Sequence, residues 1–239
     1  MRPPRTTADT RGGVVALVAL PPTGEAGEAL GIEVDGETVI HHTLAALDGV
    51  EGLTEIVLAG GPAPAPVHRE VEGRGSRPPV WIAAPAERPW EALCGALAAA
   101  GPAAAVLLLD ANRPLVTPSH LAALLAEVAA SPAVLSAAPV RSTCKRVVDG
   151  TITSTLPREH LLHARRPAAF QRAALQRALA GATTEGRPGA GDAALCGWAG
   201  VPVRIVEDGP GNLPVETAAD AELAELMLGL GLRPATPAR

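Results

Sequence analysis

Short apolar runs alternate along the chain with segments whose apolar residues recur every three or four positions. The runs predict strands at 14–20, 53–59, 80–83, 104–109, 133–140 and 203–206. The helical periodicity predicts helices at 39–47, 89–100, 171–180, 192–198 and 217–230, and one capped by Thr117 with Pro118 in its first turn. The segment 62–66, rich in proline and alanine, is predicted to be a loop. Regular alternation of strand and helix predicts an α/β fold with a mainly parallel, doubly wound sheet.

The alternation breaks between residues 141 and 162, where the chain is polar, positively charged and rich in β-branched residues. Asp149-Gly150 is typical of a tight hairpin turn, so this segment is predicted to be a protruding β-arm. A lone hairpin is only marginally stable in water. We therefore expect the arm, residues 141–162, to cross to a second subunit and form a twofold homodimer.

Composition limits the classes of protein that the chain can belong to. Its 239 residues are predicted to form a single domain over 13–232, with disordered ends at 1–12 and 233–239. A net charge of −5 argues against a general nucleic-acid partner. The sequence has no apolar run long enough to span a membrane. Three widely separated cysteines indicate free thiols in a reducing cytoplasm.

The run ending in Asp110 and Arg113 is the first candidate for chemistry. It has the pattern of a buried parallel strand that delivers a carboxylate and a guanidinium to the edge of a sheet. Ligands of open α/β sheets lie just beyond the carboxyl ends of the strands, and oxygen ligands suit Mg²⁺. A structural Asp–Arg pair that caps the strand explains the local pattern equally well.

A second candidate is a cluster of cations and hydroxyls at the start of the arm, a composition that suits an anionic ligand. It comprises Arg141, Ser142, Thr143, Lys145 and Arg146. Taken alone, it is better explained as a solvated edge that resists aggregation. Further positive charge comes from Arg158, His163, Arg165 and Arg166, and of these we expect Arg165 on a solvated face.

The order of several modest motifs is similar to that of one family. They are Gly36 to Leu44 for G-x-P-hydrophobic-x-H-T-L, Asp110 to Pro114 for D-A-A-R-P, Pro139 to Arg146 for P-V-x-D-T-x-K-R, Thr155 to Arg158 for T-x-x-R, and Asn212 to Glu216 for N-x-K-V-T. From about Val14 to Leu228 the chain resembles the 2-C-methyl-D-erythritol 4-phosphate cytidylyltransferases of the non-mevalonate isoprenoid pathway.

The resemblance implies a Rossmann-like nucleotidyltransferase fold whose β-arm makes a homodimer. It also implies a reaction in which CTP and methylerythritol phosphate give CDP-methylerythritol and pyrophosphate, with cations and Mg²⁺ absorbing charge. By the same resemblance Lys145 is the catalytic residue and Asp110 holds the Mg²⁺. Arg113, Thr143 and Arg158 are then the residues that bind the substrate.

The chain departs from the family on the nucleotide side. The family opens with A-A-G-x-G-x-R followed by P-K, and here the arginine and the lysine are replaced by Pro22 and Ala29. The lysine of N-x-K-V-T is Pro214, and T-P-Q has become Arg166-Pro167-Ala168. The glycines that would let backbone donors approach a triphosphate are missing as well.

Three hypotheses remain open at this point. The chain could be a cytidylyltransferase with weak or altered turnover, a non-catalytic dimeric homologue with a binding or regulatory role, or an α/β scaffold with no small ligand. The missing cations favour lost turnover over retained turnover, and Arg166 is the one cation that could compensate. The retained residues favour a phosphorylated polyol or a nucleotide as ligand.

Overall fold

The computed structural model describes residues 12–21, 24–75, 78–86, 88–185, 192–209 and 211–231. Apart from Gly12, the ends predicted to be disordered, 1–12 and 233–239, lie outside these residues, so their disorder stays a prediction. The single domain over 13–232 stays a prediction as well. No helix in the described part of the chain is both long and apolar enough to cross a membrane.

A seven-stranded sheet forms the centre of the molecule, with the strand order β11-β7-β10-β6-β1-β4-β5. Every neighbouring pair in it is parallel except the pairs that β10 makes with β6 and β7. The strands are β1 (Val14–Ala19), β2 (Glu33–Val34), β3 (Glu37–Thr38), β4 (Leu53–Ala59), β5 (Val80–Ile82), β6 (Ala105–Asp110), β7 (Ala133–Pro139), β8 (Cys144–Val148), β9 (Thr151–Leu156), β10 (Leu162–Gln171) and β11 (Val203–Glu207). The predicted mainly parallel sheet is confirmed.

Helices cover both faces of the sheet, as a doubly wound fold requires. They are α1 (Glu25–Glu28), α2 (Val39–Asp48), α3 (Ala65–Gly73), α4 (Pro89–Ala99), α5 (Pro118–Val128), α6 (Arg172–Glu185), α7 (Asp192–Trp198) and α8 (Ala218–Gly229), with short 3-10 turns at Ala29–Gly31 and Arg158–His160. One core contains buried residues of α2, α3, α5 and α8, and the other those of α4, α6 and α7. Strand β1 serves both cores, because Val18 points into the first and Leu17 into the second.

Threonines begin three of the helices by accepting a backbone hydrogen bond. Thr38 accepts from the N–H of His41, and Thr117 accepts from the N–H of His120. The predicted cap at Thr117, with Pro118 in the first turn, is therefore confirmed. Thr217 forms a reciprocal capping box with Asp220 at the start of α8.

One expectation about local structure is wrong, and one strand was not predicted. The segment 62–66 is not wholly loop, because α3 begins at Ala65 with Pro66 in its first turn, where a missing N–H costs nothing. The segment 162–171 is the strand β10, although its sequence combines charged residues with a proline and lacks alternation. This strand is held from both sides by β6 and β7, and its pairing with β7 shifts register between Arg165 and Ala168.

The arm forms the predicted hairpin. Strands β8 and β9 pair only with each other among the described strands, and the turn places Asp149 and Gly150 at φ of 48° and 75°. Positive φ at both central residues is the requirement of a type I′ turn. Val147 and Ile152 are opposite each other in the register and are 55% and 62% exposed, so the hairpin presents an uncovered apolar pair.

Candidate active site

The predicted pair at the end of β6 is present. Asp110 is the last residue of that strand, and its Oδ2 accepts a hydrogen bond from Nε of Arg113 at 2.9 Å. Arg113 is also fixed from the other side, because its Nη1 donates to the backbone oxygen of Asn212 at 2.9 Å. The carboxylate therefore lies at the carboxyl edge of the central sheet, as the sequence predicts.

Arg166 reaches the same carboxylate from the neighbouring strand. The antiparallel register that pairs Ala168 with Leu108 brings residue 166 level with residue 110. Nη1 of Arg166 donates to Oδ1 of Asp110 at 2.8 Å, while Nε and Nη2 donate to the two oxygens of Asp192 at 2.8 and 2.9 Å. Burial disfavours the charged guanidinium, but the ion pairs with Asp192 and then Asp110 outweigh it and raise the pKa of Arg166 above its ordinary value.

Arg165 does not lie on a solvated face, and that expectation is wrong. Its side chain is 23% exposed, its Nη1 donates to the Asn212 backbone oxygen at 3.2 Å, and its Nε lies 3.4 Å from Oδ2 of the buried Asp208. The Asn212 amide nitrogen in turn donates to the Arg166 backbone oxygen and to Asp208 Oδ2, both at 2.7 Å. Asn212 thus fastens the loop after β11 to the arginines of β10.

These side chains border a cavity of about 300 Å³ at the sheet edge. It is lined by Asp110, Arg113, Leu135, Ala164, Arg165, Arg166, Asp192 and Ala193. Three guanidinium groups give this small cavity hydrogen-bond donors for an anion of the size of a phosphate, although Asp110 and Asp192 already balance much of their charge. We call this space the edge cavity.

The predicted site residues of the arm, Thr143, Lys145 and Arg158, lie away from the edge cavity of their own chain. Nζ of Lys145 donates to Oγ1 of Thr155 at 2.7 Å, and Nη1 of Arg158 donates to the backbone oxygen of Arg141 at 2.6 Å. Thr143 is exposed, as are Lys145 and Arg158. None of them is among the described residues that line the edge cavity. A single chain therefore does not bring Thr143, Lys145 and Arg158 together with Asp110 and Arg113, although the resemblance assigns all five residues to one site.

The nucleotide side lacks the family's cations and carries two glutamates close to one of those positions. Ala29 is 1% exposed and lies in a 3-10 turn, while Glu25 and Glu28 before it are exposed. Pro22 lies outside the described residues, and Pro214 is half-buried. At positions 29 and 214, the described part of the chain therefore has no positive charge that could bind a triphosphate.

Comparison with known proteins decides the family. The family model described as IspD: 2-C-methyl-D-erythritol 4-phosphate cytidylyltransferase matches residues 25–230. The chain belongs to this family. It is 31% identical to the enzyme of that name from Acidobacterium capsulatum over 204 residues, which is 82% of this chain and 85% of that one. It is also 40% identical over 124 residues to the enzyme from Symbiobacterium thermophilum, about half of each chain.

Solved structures agree on the nucleotidyltransferase fold. The 4-diphosphocytidyl-2C-methyl-D-erythritol synthase of Anaerococcus prevotii superposes with a TM-score of 0.80 at 19% identity, covering 91% of this chain and 99% of that one. The 2-C-methyl-D-erythritol 4-phosphate cytidylyltransferase of Thermus thermophilus gives 0.69 at 25% identity, covering 90% and 98%. The predicted family and fold are confirmed, whereas the roles of individual residues stay predictions.

A divalent cation at Asp110, as the resemblance implies, does not fit the side chains around this IspD-family site. Both oxygens of Asp110 accept from arginines, and both oxygens of Asp192 accept from Arg166. No cluster of three or more His, Cys, Asp or Glu side chains suited to a metal ion occurs in the described part of the chain. We therefore derive no step through Mg²⁺ at this carboxylate.

Sequence reasoning missed two residues that organise the site. Asp192 was only the start of a predicted helix, yet it holds Arg166 with two hydrogen bonds. Asp208 follows β11 and is 3% exposed, which no local pattern indicates for an aspartate. A possible signal was charge balance, because two adjacent arginines inside a buried strand need nearby carboxylates.

Proposed function

We propose that this IspD-family protein binds a phosphorylated polyol between the edge cavity and the arm, and that it transfers cytidylyl groups weakly or not at all. The observation that carries the second part is position 29. The family has a lysine there, whereas this chain has a buried alanine preceded by two exposed glutamates. A polyphosphate bound beside this segment would meet negative charge.

The expected loss of rate is large. Removing one preorganised donor to the transition state costs about 3 kcal/mol, or ~10²-fold in rate. Pro22, Ala29 and Pro214 stand where the family has three cations. Even if the losses are less than additive, turnover should fall by several powers of ten.

Arg166 does not offset this loss in our proposal. Its guanidinium is directed at Asp110 and Asp192, so most of its charge is already balanced. Arg113 is likewise held by Asp110 and Asn212. Both groups are suited to orient a single phosphate in the cavity rather than to neutralise the phosphates of CTP.

The polyol phosphate side requires a second subunit. Lys145, Thr143 and Arg158 lie on the arm, away from the edge cavity of their own chain. In a twofold dimer each arm can bring these residues to the partner's cavity, where Lys145 supplies a compact positive charge. The exposed apolar pair on the hairpin supports such an interface. A cytoplasmic location is part of the proposal, supported by three cysteines without a disulfide.

Isothermal titration tests the proposal. Methylerythritol phosphate should bind the unmodified protein with measurable heat, whereas CTP should not. Lys145→Ala should weaken methylerythritol phosphate binding about tenfold or more, because a charge-assisted contact contributes roughly 1.5–3 kcal/mol. The control is Arg146→Ala, which removes an exposed cation from the opposite face of the same strand. Equal effects of the two substitutions would contradict the assigned role of Lys145.

The second candidate is a non-catalytic dimer that acts by binding another protein. The uncovered Val147–Ile152 pair favours this second function if it stays exposed in the homodimer, where it could then contact another protein. If no phosphorylated polyol binds at millimolar concentration, this candidate becomes the leading one.

A further inference from the structure

We propose that Arg166 is a built-in counter-ion that takes the place of a divalent cation at Asp110, so that this site excludes a metal ion. The inference goes beyond the proposed function and does not depend on turnover or on the identity of the ligand.

The first support is the geometry at the carboxylate. Oδ1 of Asp110 accepts from Arg166 at 2.8 Å and Oδ2 accepts from Arg113 at 2.9 Å. A cation bound to either oxygen would have to approach within a few ångströms of a guanidinium. Both arginines are mostly buried, with side chains 18% and 12% exposed, so solvent would screen the repulsion poorly.

The second support is the anchoring of Arg166 itself. Asp192 accepts from both Nε and Nη2, which fixes the plane of the guanidinium. Its backbone is held as well, because β10 pairs with strands on both sides and the Arg166 carbonyl accepts from Asn212. Swinging the side chain away to admit a metal would break three charge-assisted hydrogen bonds at once.

The third support is the charge balance of the whole cluster. The carboxylates Asp110, Asp192 and Asp208 are matched by the guanidiniums Arg113, Arg165 and Arg166. A site for a divalent cation normally presents excess negative charge, whereas this one is neutral without any ion. The family pattern has a threonine at position 166, where this chain has an arginine. The positive charge of Arg166 is therefore what makes the cluster of this chain neutral.

The test is binding of Mn²⁺ alone to the full chain, followed by electron paramagnetic resonance of the free ion. The unmodified protein and Asp110→Asn should bind Mn²⁺ equally weakly. Arg166→Thr should bind it roughly tenfold tighter or more, since a close positive charge is gone, and the double variant with Asp110→Asn should lose the gain. Arg204→Thr, which removes an exposed arginine paired with Glu127, is the matched control and should change nothing.

Two results would overturn the inference. The first is a roughly tenfold loss of Mn²⁺ affinity on Asp110→Asn in the otherwise unmodified protein, because Asp110 would then bind metal despite Arg166. The second is a folded Arg166→Thr variant, checked by circular dichroism, with no gain in affinity. If Arg166→Thr does not fold, the comparison of Mn²⁺ affinity between the unmodified protein and Asp110→Asn still tests whether Asp110 binds a metal ion. Methylerythritol phosphate is absent from these measurements, so failure of the proposed function would not affect them.

Discussion

Asn212 connects the loop after β11 to the arginines of the site, and Asn212→Ala should loosen both. The side chain is 1% exposed, and its amide donates to the Arg166 backbone oxygen and to Oδ2 of Asp208. The substitution leaves both acceptors buried without that donor. Oδ1 of Asp208 already lacks a hydrogen-bond partner, so this carboxylate would retain chiefly its ion pair with Arg165.

The magnitude follows chiefly from the two hydrogen bonds that the amide donates at 2.7 Å, because the third side-chain bond, from Nη1 of Arg113 to Oδ1 of Asn212, is long at 3.5 Å. A bond to a neutral carbonyl contributes about 1 kcal/mol and one to a buried carboxylate about 1.5–3 kcal/mol. The free energy of unfolding should therefore fall by about 2 to 4 kcal/mol, and a domain of this size should lose roughly 5–15 °C in Tm. The affinity for a phosphorylated ligand should fall as well, because Arg113 loses its contact with Oδ1 of Asn212 and the loop whose backbone oxygen positions Arg113 is loosened.

Urea denaturation followed by circular dichroism is the assay. Asn112→Ala is the control, because it truncates the other asparagine of the chain, also buried at this sheet edge, without touching Arg166 or Asp208. A double-mutant cycle of Asn212→Ala with Asp208→Ala should give a coupling energy of about 1.5–3 kcal/mol. A loss below about 1 kcal/mol, or one equal to that of Asn112→Ala, would refute this reasoning.

Three further predictions follow from the described contacts. Burial lowers the pKa of His120, so the unfolded chain takes up a proton that the folded chain does not. The free energy of unfolding should fall as pH drops below about 6.5, and His120→Gln should flatten this slope whereas His68→Gln, at an exposed position, should not. Thr217→Ala should lower the free energy of unfolding by about 1 kcal/mol, and an unchanged urea midpoint would contradict the capping box. Ile152→Lys should shift the mass in light scattering from dimer to monomer, while Thr151→Lys, at the adjacent, regularly paired position on the other face of the hairpin, should leave a dimer.

The parallel strands and their helices could be predicted because each is specified locally. The strand before Asp110 is a continuous apolar run buried on both faces, and the helix after Thr117 has a threonine cap, a proline in its first turn and helical periodicity. The strand β10 could not be predicted in this way. Its residues are held in an extended conformation by the two strands on either side, and such tertiary pairing leaves no periodic signal.

The candidate site was predictable only in part, for a related reason. Asp110 and Arg113 are three residues apart, so their pairing follows from local sequence. Arg166 meets Asp110 across 56 residues and Asp192 across 26, through a register that only the assembled sheet defines. From the sequence, Arg165 was therefore expected on a solvated face and Arg166 as a cation available to a ligand, although in the folded chain both arginines form ion pairs with aspartates.

Pyrophosphate release from CTP and methylerythritol phosphate, with Mg²⁺ present, tests the central claim most directly. A family member without the nucleotide-side cations should turn over several powers of ten below the typical enzyme median of about 10 s⁻¹, while still binding methylerythritol phosphate. Pyrophosphate release near that median would contradict the account, because it would show that the buried Ala29 and its neighbouring glutamates do not prevent productive binding of CTP.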